Sequence, residues 1–328
     1  MKPLPLGKIP IRVLQRTVLS RTGALSGLVE TPARAGLDFT AVKLRGGYLL
    51  VSADPITGVA DEIGRYAVNV SANDIATSGN RPQFMESVIL LPEGASEASL
   101  DRVAGEMHAA ARELGIEIVG GHTEVTPGLR RPIVVVTAFS VAKDYASSGA
   151  ARRGDLMVMT KTAGMEGTAA IARRGGLVPA GLAARASRLA GRMSVVEEAV
   201  AAYATGKVRA MHDCTEGGVL GAAYEMSLAS GLGFTLRQGA VPVAPETARV
   251  CSLLSLDPLR LIGSGSMLVA VRPESEGDVL RALEEVCRAT VIGEFGGAGR
   301  RLVLRDGSTE TLREAPEDEL WRALGGLP

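Results

Sequence analysis

GKVRAMHDCTEGGVLGAAYEMSLAS, residues 206–230, decides how the rest of the chain is read. His212 to Gly218 place an acid, Asp213, just ahead of a Thr-Glu-Gly-Gly turn that opens into a Gly-, Ala- and Leu-rich stretch of helical character. Thr215 is placed to cap that helix, because a threonine hydroxyl can accept from a free amide of the first turn. Gly217 and Gly218 carry no side chains to hold a ligand away from the backbone. A helix start attracts anions through its unpaired N–H groups and its dipole. Read alone, the segment also fits a capped helix after a tight turn, with Asp213 a turn residue.

Two upstream segments strengthen the ligand reading. In Val119 to Val125 a hydrophobic run ends in Gly120-Gly121, followed by His122, Thr123 and Glu124. Glycine pairs at strand ends let amides approach a ligand, often a phosphate, although a hairpin-like turn has the same signature. In Tyr66 to Pro82 the apolar residues Ala67, Val70 and Ile75 suit a buried helix that Asn73 and Asp74 interrupt. Polar groups on such a face need partners. A cation suits Asp74, and so does a buried hydrogen bond to backbone.

Together these segments resemble the superfamily of aminoimidazole ribonucleotide synthetase. It also includes a hydrogenase maturation branch that makes a cyanide ligand, selenophosphate synthetase and thiamine monophosphate kinase. Gly7-Lys8-Ile9-Pro10 is similar to the opening of the hydrogenase maturation branch. Gly36 to Val42, Ser52 to Ile56 and Asn73-Asp74-Ile75-Ala76 resemble successive family motifs. Gly120 to Glu124, Asp213 to Gly218 and Ile262 to Leu268 follow in the family's order. The resemblance implies a two-domain α/β fold, with the N-terminal sheets of a homodimer closing a shared barrel.

The same resemblance implies a site. Asp38, Asp54 and Asp74 would gather as magnesium ligands, with Glu124 taking the carboxylate role where close relatives carry an acid at the position of His122. Magnesium prefers hard oxygen donors, and it would neutralise ATP phosphates. Lys8, Asn73, Gly120, Gly121, Thr123, Thr215, Gly217 and Gly218 would bind the nucleotide. Asp213 and Glu216 would orient the acceptor or the nucleotide from the second domain. Lys8 is otherwise a solvated tail residue, and His122 either a poor magnesium ligand or a structural group. Cys214, beside His212 and a helix start, is either an activated thiol or a small buried residue. No Walker A loop is present. The C-terminal cysteine of the hydrogenase maturation branch is absent from the ending Leu320 to Pro328. Cyanide-ligand synthesis is therefore not expected through that route.

Composition sets wider bounds. With 328 residues and 46% hydrophobic content the chain can build a large core, which the 3% aromatic share makes aliphatic. A formal net charge of +0 gives no reason to expect nucleic acid or an anionic membrane as partner. The three cysteines show no CxxC spacing, which argues against structural zinc or a disulfide framework. No signal or membrane-spanning segment is read, and a cytoplasmic protein is expected. Strands and helices alternate. Strands are expected at Tyr48–Ala53, Gln83–Leu90, Glu117–Val119, Pro132–Val141, Leu156–Thr160, Gly233–Arg237, Ser266–Val271 and Val291–Phe295, and helices at Asp61–Ser78 and Ser96–Leu114. Further helices are expected across 165–204, after Asp213, and near 245–256 and 275–288. The N-terminus is expected to be a mobile arm. The resemblance implies an ATP-binding, dimer-forming unit over 1–148 and an α/β unit over 149–328. The expected activity is ATP-dependent phosphorylation of an amide, carbonyl or related acceptor. Two alternatives stand beside it: a non-catalytic nucleotide-binding partner of another maturation protein, and a cyclo-ligase of the aminoimidazole ribonucleotide type.

Overall fold

The computed structural model describes residues 4–57 and 62–325. The expected helix start at Asp61 lies outside them. After a short helix α1 (Ile11–Leu14), the first sheet comprises β1 (Thr40–Leu44), β2 (Gly47–Ile56), β3 (Phe84–Leu91), β4 (Glu117–Val125) and β5 (Ile133–Ala142). Their order is β1-β2-β5-β3-β4, antiparallel except for the β3–β4 pair. Helices α2 (Ile63–Ala76) and α3 (Glu97–Leu114) belong to this half. Ser96 caps α3, its hydroxyl accepting from the Ser99 amide at 3.2 Å.

The second sheet holds β6 (Leu156–Thr160), β7 (Val208–Asp213), β8 (Phe234–Arg237), β9 (Met267–Val271), β10 (Ala289–Phe295), β11 (Arg300–Val303) and β12 (Thr309–Thr311). Its order is β12-β11-β8-β10-β6-β9-β7, antiparallel except for β11 beside β8. Its helices are α4 (Met165–Arg173), α5 (Ala180–Ala186), α6 (Val196–Ala204), α7 (Gly218–Ser230), α8 (Pro245–Leu254), α9 (Glu276–Glu284) and α10 (Glu319–Ala323). The mixed α/β expectation holds. Among the described residues, no helix is long and apolar enough to cross a membrane.

Helix α2 is buried along nearly its whole length because both halves cover it. Its buried polar side chains find partners there, Asn69 donating to Arg65 O and Ser71 to Val136 O. One apolar cluster runs from Ala67 and Val136 through Val195 and Ala199 to Met211 and Val269, so the two sheets share a core. Asn73 fastens this junction. Its amide nitrogen donates to Met193 O at 2.8 Å, and its amide oxygen accepts from Val195 N at 2.8 Å. Lys161 grips the same loop from the other side, donating to Ser194 O at 2.5 Å and to Gly265 O at 2.9 Å.

The structure departs from the expected elements in places with physical causes. The segment before Asp213 is strand β7, paired antiparallel with β9, so Asp213 ends a strand and is not a turn residue. The Gly120-Gly121 pair does not end its strand. β4 continues through both glycines to Val125 and stays fully exposed at the sheet edge. Gly121 has φ +149°, and a Cβ there would stand 1.9 Å from Ser87 O on β3. The glycine therefore serves close strand pairing. Helix α7 begins at Gly218, and no side chain caps it. Thr215 is not the cap; its carbonyl accepts from Gly218 N at 3.0 Å.

Removing the Asn73 side chain should leave a buried carbonyl and a buried amide without partners, at roughly 1–3 kcal/mol for each orphaned group. Asn73→Ala should therefore lower the unfolding free energy by about 2–6 kcal/mol in urea denaturation. A change below about 0.5 kcal/mol would show that the loop does not depend on this clamp.

Candidate active site

The C-terminal end of β7 delivers His212 and Asp213 to the seam between the two sheets, and α7 brings Glu225 beside them. Across the seam stand Asp38 in the loop before β1, Ser52 and Asp54 on β2, and Asp74 on α2. The Asp38 loop lies close against α7. Gly36 has φ +86°, and a Cβ there would meet Glu225 O at 2.2 Å. A cavity of about 690 Å³ opens between these walls.

His212 is the joint of the site. Its Nδ1 lies 3.1 Å from Asp38 Oδ1 and its Nε2 3.3 Å from Glu225 Oε2, with only 4% of the side chain exposed. Burial disfavours the imidazolium, but Asp38 and Glu225 outweigh it and hold the pKa up to about 9. Burial also works against the Glu225 carboxylate, yet Lys8 and His212 bring its carboxyl down to about 2. Lys8 Nζ donates to Glu225 Oε1 at 2.9 Å and to Thr215 Oγ1 at 3.3 Å. The Lys8 amide donates to Glu216 Oε1 at 2.8 Å, and Trp321 Nε1 reaches the same oxygen at 3.3 Å. The arm expected to be loose is docked here by Lys8.

The remaining carboxylates are crowded. Burial, then Asp54 and Asp213, push the Asp74 carboxyl well above its ordinary range, even though Ser52 Oγ donates to Asp74 Oδ2 at 2.6 Å. Asp38 is raised by burial despite His212 beside it. Asp213 is pushed up to about 8 by burial and then by Asp38, and its buried Oδ2 has no hydrogen-bond partner. Seven carboxylates line the cavity (Asp38, Asp54, Asp74, Glu166, Asp213, Glu216 and Glu225) against Lys8, Arg131 and His212. Such an excess of hard oxygen donors, with buried oxygens of Glu166 and Asp213 orphaned among the described residues, fits a divalent cation better than a free anion.

Asp38, Asp54, Asp74, Lys8, Thr215, Asp213 and Glu216 thus meet at one cavity. Other expected residues stand elsewhere. Both polar ends of the Asn73 side chain are taken by the loop at Met193 and Val195. The Gly217 amide donates to Asp318 Oδ2 at 2.6 Å and the Gly218 amide to Thr215 O, so neither is free for an anion. Gly218 needs its missing side chain because a Cβ would meet Leu259 O and Leu261 O at 2.7 Å. Gly120, Gly121, Thr123 and Glu124 lie on exposed β4 and do not line the cavity of the single chain. There Glu124 accepts from Thr126 Oγ1 at 2.8 Å and stands 3.2 Å from His122 Nε2.

Cys214 is fully buried and burial pushes its thiol up, which removes the activated-thiol alternative. Sequence reasoning passed over His212, Glu225 and Glu166 as site residues. Glu225 left a readable signal, a lone acid in an otherwise apolar helix. Glu166 left none beyond its place in the first turn of α4.

Residues 37–142 match the family model described as AIR synthase related protein, N-terminal domain, and residues 152–304 match its C-terminal domain. The chain belongs to the AIR synthase related family. Within it, the chain is similar to the carbamoyl dehydratase HypE of Rhizobium leguminosarum bv. viciae. The two are 32% identical over 260 residues, which cover 76% of this chain and 73% of that protein. Among solved structures, HypE in a HypE–HypF complex superposes with a TM-score of 0.77 at 22% identity, over 92% of this chain and 99% of that one. The hydrogenase maturation protein HypE in complex with ATP superposes with a TM-score of 0.71 at 24% identity, over 94% and 95% of the two chains. These two likenesses concern the fold.

Glu166 provides a pH signature. Burial, opposed by Ser264, pushes its carboxyl from the ordinary 4.5 up to about 7. A raised carboxyl pKa means that the folded state holds an extra proton between those two values. Stability is then lost as pH rises through the window. Glu166→Gln should flatten the decline in the urea midpoint between about pH 4.5 and 7. An unchanged decline in the variant would assign it to other groups.

Proposed function

We propose that this chain is an ATP- and magnesium-dependent enzyme that phosphorylates the oxygen of an amide, carbonyl or related acceptor. The observation that carries the reading is the carboxylate cluster of Asp38, Asp54, Asp74 and Asp213 at the seam of the two sheets, in the fold of a protein whose structure holds ATP. The name carbamoyl dehydratase, printed for the relative, supports an acceptor of the amide type.

Asp38, Asp54 and Asp74 would hold the magnesium, which supplies charge neutralisation for the phosphates. Lys8 supplies a cation on the docked arm, ready to exchange its Glu225 and Thr215 partners for phosphate oxygens. Protonated His212 keeps Asp38 and Glu225 at fixed separation across the seam. Asp213 carries an unused oxygen toward the ligand space and orients the acceptor or the nucleotide. Glu216 acts at one remove, through the Lys8 amide that it holds. Positioning and charge stabilisation are what phosphoryl transfer needs from a protein.

The same reading assigns nucleotide binding and dimer formation to residues 1–148 and the second wall of the site to 149–328. Edge strand β4 supports the dimer. It is exposed along its length, with Val119 48% and Val125 55% exposed, and such an edge invites pairing with another sheet. Closure of a barrel by two first sheets would cover β4 and bring Gly120, Gly121, Thr123 and Glu124 into an interface. The HypE–HypF complex supports a maturation protein as a further partner.

Isothermal titration with ATP and a non-hydrolysable analogue, with and without magnesium, followed by ADP release, tests the reading. Binding should require magnesium, and Asp74→Asn should weaken it at least a hundredfold. Normal affinity in that variant would remove the carboxylate site. Magnesium-dependent binding without ADP release in the presence of carboxamide or carbamoyl probes would favour a non-catalytic partner protein. On the dimer, Val119→Glu should shift the mass measured by light scattering from twice the chain mass to one. A parent protein already at one chain mass would overturn the barrel.

A further inference from the structure

A second cavity, of about 460 Å³, opens in the C-terminal half away from the carboxylates, with Arg192, Arg288, Thr162 and Thr290 on its polar side. Val241, Pro242 and Val243 supply apolar lining. Its charge pattern is the reverse of the first cavity's. Both arginines are exposed and neither forms an ion pair among the described residues, whereas Glu246, which also lines the cavity, lies 3.8 Å from Arg185.

The construction beneath the arginines is specific. Lys161 adopts φ +52°, a left-handed conformation that is costly for a residue with a side chain. In that conformation its amide donates to Arg288 O at 2.8 Å and its ammonium reaches Arg192 O at 3.5 Å and Ser194 O at 2.5 Å. One buried lysine thus fixes the backbone under both arginines. The next residue, Thr162, lines the cavity, and its buried hydroxyl has no hydrogen-bond partner among the described residues. Helix α8 starts beside the cavity, with Pro245 and Glu246 in its first turn and no side-chain cap at Ala244. An orphaned hydroxyl and two guanidiniums without a carboxylate partner on one cavity suit an oxyanion.

We propose that this cavity binds a small phosphate monoester, with its phosphate on Arg192, Arg288 and the Thr162 hydroxyl and its organic body against Val241, Pro242 and Val243. Guanidinium groups pair with phosphate oxygens through parallel N–H bonds, and the apolar lining favours an ester over inorganic phosphate. The inference is independent of the nucleotide reading, since it uses none of the carboxylates.

Calorimetric titration of the whole protein with phenyl phosphate in EDTA tests it, because without metal the acidic cavity repels the probe. One saturable site is expected, weakened by added sodium chloride, and inorganic phosphate should bind more weakly. The Arg192→Ala, Arg288→Ala double variant should lose at least tenfold in affinity, while Asp74→Asn should keep the parent value. If the double variant melts at a lower temperature than the parent, Thr162→Val takes its place, with a loss of at least threefold. No saturable binding by the parent, undiminished binding by the arginine or threonine variants, or loss in Asp74→Asn would each overturn the proposal.

Discussion

The contact on which the candidate site depends is His212 held between Asp38 and Glu225. Asp38 comes from the first half of the chain, while His212 and Glu225 come from the second. An ion cluster buried in this way is costly unless each charge has a partner and each partner is held in place. The restraint is provided by Asn73 and Lys161 on the loop at 192–195, and by the core that runs continuously across both sheets. The carboxylates around it crowd one cavity, and burial with mutual repulsion pushes Asp38, Asp74 and Asp213 up.

Much of the fold was legible in local pattern. Strand β6 falls on Leu156–Thr160 as the apolar run predicts, and α3 begins directly after Ser96 because serine followed by acidic and apolar helix formers is a self-contained signal. Strand β7 was not legible, because Arg209, close behind Lys207, gives its start a polar character that only pairing with β9 resolves. The short strands β11 and β12 escape for a similar reason, since their partners lie far away in sequence or at the sheet margin.

The site divides along the same line. Asp38, Asp54 and Asp74 could be named because family motifs mark them, and they do meet at one cavity. The partners that decide what other residues do are remote. Asn73 is answered by backbone 120 and 122 positions away, and the Gly217 amide by Asp318, 101 positions on. Nothing within either local stretch distinguishes an amide left open for a ligand from one already taken. Glycine is ambiguous in the same way. Gly121 and Gly218 are required by neighbouring carbonyls, a steric need that reads in sequence as room for a phosphate.

The chain has 1 tryptophan, and it lies at the site. Trp321 donates its indole N–H to the glutamate that also holds the Lys8 amide, and a Cβ on Gly7 would stand 2.6 Å from that indole nitrogen. Intrinsic emission excited at the red edge of protein absorption therefore comes from one place, the joint between the N-terminal arm and α10. Movement of the arm changes the polarity around that ring and hence its emission. The unmodified protein carries its own optical probe of the cavity mouth.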